Sequence, residues 1–270
     1  MKQVTSLFFC ISNMTLALLL CACDAKTSSE TATASAPAQA AESVYSVGTD
    51  ASYAPFEYLN NKHEVQGFDV DVLTAVAAKE GLKLRFVNTP WEGIFVSLAQ
   101  GDRDILASAI TITDERKQSV DFSDPYFEAR QLIAIPAGEK GIRNFHDLKS
   151  RRVAVQSGTT GDEVVQKLKG RTSPDIKRFE SMPLALKELE SGGVDAVVGD
   201  NGVVTNYVEN NPGSGIAMIE DAGSFAPEYY GFAVHKGNAV LLAKLNAGLA
   251  AIRADGRYEA IYRKYFGGAR

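Results

Sequence analysis

From Val44 to Phe266 strand-like and helix-like apolar patterns alternate, which restricts this stretch to an α/β fold with largely parallel sheets. Residues 44–49 read as a strand. Residues 68–79 form a helix with Val70, Leu73, Val76 and Ala77 on one stripe. Leu82, Leu84 and Phe86 alternate with polar residues, as in a strand. Trp91, Ile94 and Leu98 recur at helical spacing, 104–107 is a short buried strand, and Thr113 caps a further helical turn. Beyond these, strands are expected at 130–135, 152–155, 194–198 and 229–234, and helices at 160–168, 182–190 and 201–209. Leu241, Leu245, Leu249 and Ile252 line a long helix, and 258–266 form a last short one. The halves share no sequence repeat. The stretch is long enough for two lobes, given domains of about 100–150 residues. Segments 130–135 and 229–234 flank the middle block and are expected to cross between the lobes.

The segment before this block has a different character. Lys2 precedes an apolar run from Leu7 to Leu20, which ends in Leu20-Cys21-Ala22-Cys23. That pattern reads as an export signal, and the run is short for a membrane span. The Leu-x-Ala-Cys order resembles a lipoprotein signal spanning 1–22, with Cys23 the acylated residue. Residues 23–43 then form a polar, low-complexity tether without an aromatic or large aliphatic side chain. Asp24 resembles the residue that retains some bacterial lipoproteins in the inner membrane. The expected location is therefore extracytoplasmic and lipid-anchored.

All three cysteines (Cys10, Cys21 and Cys23) lie in this leader, so the folded part has no disulfide and no thiol ligand. His63, His146 and His235 are scattered without metal-ligand spacing, so neither a metal nor another cofactor is expected. The formal net charge is −5 with no basic block, which argues against a nucleic-acid partner.

Three local features point to one site for an anion and an amine. In Ser108-Ala109-Ile110-Thr111-Ile112-Thr113-Asp114-Glu115-Arg116, a cation sits in the first turn after Thr113 and opposes the helix dipole. A bound carboxylate would compensate, gripped by two parallel hydrogen bonds. The plain alternative pairs Arg116 with Asp114, Asp121 or Asp124. In Gln156-Ser157-Gly158-Thr159-Thr160-Gly161, a strand passes through a glycine turn into a helix start, where free N–H groups suit an anion. No Gly-Lys-Ser/Thr follows, so this is not a Walker loop. Asp200 lies at the carboxyl end of a buried strand, where ligands of open α/β sheets bind. It suits an ammonium group or, alternatively, caps the next helix. Asp50 follows the first strand in the same way, and Tyr53 and Trp91 are aromatics near polar turns. Asp69 and Asp71 sit two apart at a helix start, point in different directions and read as structural.

These residues also carry a family resemblance. The chain resembles family 3 of the bacterial extracytoplasmic solute-binding proteins, the polar amino-acid binders of ABC importers. The likeness rests on Gly48-Thr49-Asp50, Tyr53-Ala54-Pro55-Phe56-Glu57-Tyr58 and Gly67-Phe68-Asp69-Val70-Asp71-Val72. Further matches are Trp91-Glu92-Gly93-Ile94, Thr111 to Arg116, Phe122-Ser123-Asp124-Pro125-Tyr126, Ser157-Gly158-Thr159-Thr160 and Asp195-Ala196-Val197. Glu80 departs from the signature at a helix end, and Gly161 stands where some relatives carry a polar side chain.

The resemblance implies a two-lobed type II periplasmic binding fold with a two-strand hinge. One lobe would hold 44–130 plus 231–267, the other 131–230. It further implies that Arg116 grips a ligand α-carboxylate with N–H groups at Thr111 and Thr160. Asp200 would take the α-ammonium with Ser108 and the Ala109 carbonyl. Asp50, Tyr53, Trp91, Gln156 and Thr159 would complete the site. The ligand expected is a free arginine, lysine, histidine or glutamine, and the partner a membrane permease, with the binding protein a monomer and not an enzyme. Two rivals share the fold: a prephenate or arogenate dehydratase using Glu57 or Glu228 as general acid, and a tethered amino-acid sensor.

Overall fold

The computed structural model describes residues 44–267. The expected signal, tether, Cys23 and Asp24 lie outside the described residues. In chain order the first half contains β1 (Val44–Thr49), β2 (Ser52–Tyr53), β3 (Glu57–Leu59), β4 (Val65–Gln66), α1 (Phe68–Glu80) and β5 (Lys83–Asn88). It continues through α2 (Ile94–Ala99), β6 (Ile105–Leu106), β7 (Val120–Phe122) and β8 (Phe127–Ala129). The middle block contains β9 (Gln131–Pro136), β10 (Val153–Gln156), α3 (Thr160–Lys169), β11 (Ile176–Phe179), α4 (Met182–Glu190) and β12 (Ala196–Asp200). It ends with α5 (Asn201–Asn210) and β13 (Ile216–Ile219). The chain returns through β14 (Glu228–Tyr230) and β15 (Ala233–His235) to α6 (Ala239–Ala254) and α7 (Arg257–Phe266).

Two five-stranded sheets result, ordered β5-β1-β6-β15-β7 and β11-β10-β12-β9-β13. In each, the first three strands of that order are parallel and the fourth runs antiparallel to them. The two lobes thus share one strand order without sharing sequence. Parallel strands buried on both faces should read as continuous aliphatic runs. Val153–Gln156 and Ala196–Asp200 are buried along their whole length.

The lobes are joined by a two-stranded ribbon of β8 and β14. Segment 130–135 is therefore not the crossing: as β9 it lies inside the second sheet, between β12 and β13. Segment 229–234 is two strands, one in the ribbon and one in the first sheet. The break falls at Gly231, where a Cβ would lie 2.9 Å from Ile112 Cδ1. One cross-strand aromatic pair holds the ribbon. Phe127 and Tyr230 are partners in register, and their rings stack at 5.5 Å. Phe56, Phe68 and Phe266 pack edge-on or tilted around Phe127, so one apolar cluster runs from lobe to lobe through the ribbon.

The start of α1 fixes the loop above it. No side chain caps this helix; Phe68 N–H donates to Pro55 O at 2.9 Å and Asp69 N–H to Phe56 O at 3.0 Å. Gly67 makes that approach possible. Its φ is 144°, and a Cβ there would lie 2.0 Å from the Phe56 carbonyl oxygen. Gly67→Ala is expected to cost about 3 kcal/mol or more, from strain and lost capping together. Urea denaturation checks this, and an unchanged midpoint would refute the account.

Candidate functional site

The carboxyl ends of β1, β5, β6, β10 and β12 converge on one small cavity between the lobes. All eleven residues singled out from the sequence line it: Asp50, Tyr53, Trp91, Ser108, Ala109, Thr111, Arg116, Gln156, Thr159, Thr160 and Asp200. The parallel topology explains the convergence, because loops leaving these strands share one end of each sheet.

Arg116 is held for this place by its backbone turn. Its N–H donates to Thr113 Oγ1 at 3.1 Å, and 116–118 form a single 3₁₀ turn where a longer helix was possible. Nη1 donates to Thr111 O at 2.9 Å and Nη2 to Gly158 O at 3.4 Å, across the cleft. The guanidinium lies 5.2 Å from the Trp91 ring centre and 5.5 Å from that of Phe95. The alternative pairings fail: Asp114 pairs with Lys117, and Asp121 with Lys236. Asp124 instead donates its N–H to Asn246 Oδ1. Arg116 has no carboxylate within ion-pair distance among the described residues. Burial pulls its pKa down, and Glu163, Asp200 and Glu228 oppose that through space.

Asp200 forms the opposite wall. It precedes α5 but makes no side-chain cap bond. Its Oδ2 accepts from Tyr53 OH at 2.8 Å and from Tyr230 OH, and Oδ1 accepts from Gln131 Nε2 at 2.6 Å. Burial, then the nearby Glu228 charge, pushes its carboxyl up to about 6. Burial also raises both phenols, so Tyr53 and Tyr230 remain donors. Asp50 closes a second side: Oδ2 accepts from Gln156 Nε2 at 3.1 Å and Oδ1 from Ser52 Oγ at 2.8 Å. Burial raises its pKa as well, with Glu180 adding to the shift.

At the head of α3, Thr159 Oγ1 accepts from Asp162 N–H at 3.3 Å as the N-cap. The Asp162 carboxylate accepts from Gly158 N–H at 3.1 Å and pairs with Arg178 at 3.0 Å. The turn is therefore fixed by a cavity-lining cap, Thr159, and by two charged groups outside the cavity, Asp162 and Arg178. The first amides of α3, at Thr160 and Gly161, have no partner within the helix and lie at its positive end. Gly161 has a spatial reason: a Cβ would lie 2.8 Å from Gln131 Oε1 and 3.2 Å from Val198 O.

Beneath the cavity floor lies a buried acid pair. Ser108 Oγ donates to Glu57 Oε1 at 3.0 Å and accepts from Asp50 N–H at 2.9 Å. Asp69 Oδ2 accepts from Ala109 N–H at 2.8 Å and from Tyr126 OH at 2.5 Å. Ala109 itself has φ 46°, a left-handed backbone that its bond to Asp69 helps to hold. Glu57 Oε2 and Asp69 Oδ1 are fully buried without a donor, a demand that a proton kept on the pair would meet. Burial raises both groups, Asp69 to about 7. Glu57, with one donor against the two on Asp69, is the better proton holder. Asp71, two residues on, faces outward to Lys264 at 2.6 Å and Tyr265 at 2.9 Å.

Three polar contributors to the site's second layer, Gln131, Glu228 and Tyr230, had no motif to reveal them in an amino-acid clamp. From the sequence, Glu228 reads only as an acid for the dehydratase rival. Gln131 stands opposite Asp200 in the β12–β9 register, a relation visible only once the antiparallel strand is placed.

The profile of the bacterial extracellular solute-binding proteins, family 3, matches residues 45–268. The chain belongs to that family. It is 47% identical over 232 residues to a probable histidine-binding protein of Neisseria gonorrhoeae, covering 86% of each chain. It is 33% identical to the ABC transporter arginine-binding protein 1 of Escherichia coli, covering 85% of this chain and 93% of that one. Among solved structures, the arginine-, lysine-, histidine-binding protein ArtJ of Geobacillus stearothermophilus superposes with a TM-score of 0.80 at 46% identity. That match covers 84% of this chain and 97% of the other. The fold is the two-lobed type II periplasmic binding fold. No helix among the described residues is long and apolar enough to cross a membrane.

The acid pair makes a pH dependence. A raised folded-state pKa favours the protonated fold, so the pair's stabilisation is present in acid and lost as pH rises, the share of Asp69 being gone above about 7 and that of Glu57 persisting higher. Glu57→Gln places a permanent donor beside Asp69 and should flatten the decline in urea midpoint between about pH 5 and 8. An undiminished slope in that variant would remove the shared proton from the account.

Proposed function

We propose that this chain is the extracytoplasmic substrate-binding component of an ABC amino-acid importer, capturing a free L-amino acid of the arginine, lysine, histidine or glutamine class. One observation carries the reading: a guanidinium with no ion-pair partner among the described residues and a buried carboxylate form opposing walls of one small cavity. An α-amino acid presents the two complementary charges at a fixed spacing. Arg116 takes the carboxylate, with N–H groups at Thr111 and Thr160. Asp200 takes the ammonium, with Ser108 and the Ala109 carbonyl. Asp50, Tyr53, Trp91, Gln156 and Thr159 surround the side chain. Asp50 disfavours an acidic ligand, and the names of the relatives point to basic ones.

The lobes would comprise 44–130 plus 231–267 and 131–230, each lobe carrying one half of the clamp. Binding without chemistry is the reading favoured here. Glu57 lies behind Ser108 rather than on the cavity wall, and Glu228 is occupied by two hydroxyls. The protein would act as a monomer that docks on a membrane permease, tethered through a lipid on Cys23 with Asp24 favouring the inner membrane. Mass spectrometry of the membrane fraction should find diacylglycerol on Cys23. A protein that fractionates unchanged after Cys23→Ala would exclude the anchor.

Calorimetry across the amino acids tests the clamp. Arg116→Ala should weaken the best ligand by about 2–5 kcal/mol, because a buried carboxylate loses its partner. Near-wild-type affinity would refute the assignment. Asp200 must be ionised to hold an ammonium and takes up a proton below about 6. Affinity should therefore be level above that pH and fall roughly tenfold per unit below it. A flat profile from pH 4.5 to 8 would rule out Asp200 as the ammonium partner.

A further inference from the structure

Glu228 occupies a place that nothing in the amino-acid clamp requires. It is the first residue of β14, paired with Ala129 in the ribbon that joins the lobes. Its Oε2 accepts one hydroxyl from each side of the cleft: Thr111 Oγ1 at 2.9 Å and Thr160 Oγ1 at 2.6 Å. Thr111 follows β6 of the first sheet and bridges Tyr230, whereas Thr160 heads α3 beside the second sheet. Oε1 accepts from Gln131 Nε2 at 3.1 Å, and the same Nε2 serves Asp200 Oδ1.

We infer that Glu228 is a hinge-borne latch, a positioning residue whose carboxylate joins Thr111 and Thr160 when the lobes are together. Hydroxyl bonds to a carboxylate oxygen are strong ones, and the bond from Thr160 is short at 2.6 Å. If the lobes swing apart about the ribbon, Thr160 leaves with the second lobe, and Glu228 can keep at most one of the pair. The latch therefore stabilises the closed arrangement over any open one by an interaction that no ligand atom need join. It also fixes both hydroxyls that line the cavity, so lobe closure and site assembly become one event.

This rests on the proposed ligand capture only where affinity is measured. Lobe closure can be read without any ligand, because the sequence contains a single tryptophan. Trp91 lies in the cleft, and its Nε1 is 3.6 Å from where a Cβ on Gly158 of the opposite lobe would be. Acrylamide quenching of Trp91 in the full-length protein thus reports how far the cleft is covered.

Glu228→Ala should raise quenching in the absence of amino acid. It should also weaken binding of arginine or histidine about ten- to hundred-fold, mainly through faster release. Glu228→Gln keeps one acceptor oxygen and should recover part of both effects. Thr160→Val should raise quenching alone, yet add little on top of Glu228→Ala, as expected for partners in one interaction. The inference falls if both Glu228 variants show wild-type quenching, or if affinity drops while quenching stays unchanged. A wild-type protein that captures neither amino acid would instead count against the proposed ligand class, with the quenching comparison still deciding the latch.

Discussion

A carboxylate removed from water must be met by donors, and the arrangement around Asp200 follows from that demand. Two tyrosine hydroxyls and the Gln131 amide converge on it from three elements, β2, β14 and β9. Each donor then fixes something else. Tyr53 ties the loop after β1 to the opposite lobe. Tyr230 anchors the ribbon and its aromatic cluster. Gln131 sets the register of β9 against β12 and leaves no space for a side chain at residue 161. Meeting a single buried charge thus links the hinge, both sheets and the cavity wall.

The same demand recurs one layer down. Glu57 and Asp69 are hidden from solvent, yet each has a hydrogen bond to the β6 loop: Glu57 through Ser108, Asp69 through the Ala109 amide. The left-handed Ala109 shows that this loop is held against its own preference. The acid pair therefore acts on the cavity through backbone placement rather than by facing it. The family signature containing Gly67 and Asp69 serves the same purpose: one clears space for the Phe56 carbonyl, and the other holds the loop.

Much of this was legible in the sequence, for identifiable reasons. Residues that end parallel strands carry local marks: a glycine turn before Thr160, an acid straight after the aliphatic run at 196–199, a threonine three residues before Arg116. Those marks single out Thr160, Asp200 and Arg116, the family resemblance supplies others such as Ser108, Ala109, Gln156 and Thr159, and all eleven candidates line one cavity. The crossing between lobes is hard to place because β8 and β9 follow one another with only Arg130 between them, and hydrophobicity does not distinguish a hinge from a core strand. Gln131 and Tyr230 carry no local mark, and Glu228 reads only as an acid for the rival enzyme, because their roles depend on antiparallel neighbours distant in sequence. The dissimilar halves also hid their shared strand order, which is a property of connections rather than residues.

That shared order has a geometric consequence. Two lobes with one topology, facing each other by equivalent strand ends, would make an equivalent pair of walls if their loops matched. The loops differ: one contributes a cation on a short turn, the other an acid at a strand terminus. A guest with unlike ends can therefore enter a near-symmetric vessel in a single direction, and once both ends are fixed the remaining wall, with Asp50, Trp91 and Gln156, is met by only one of the guest's other substituents.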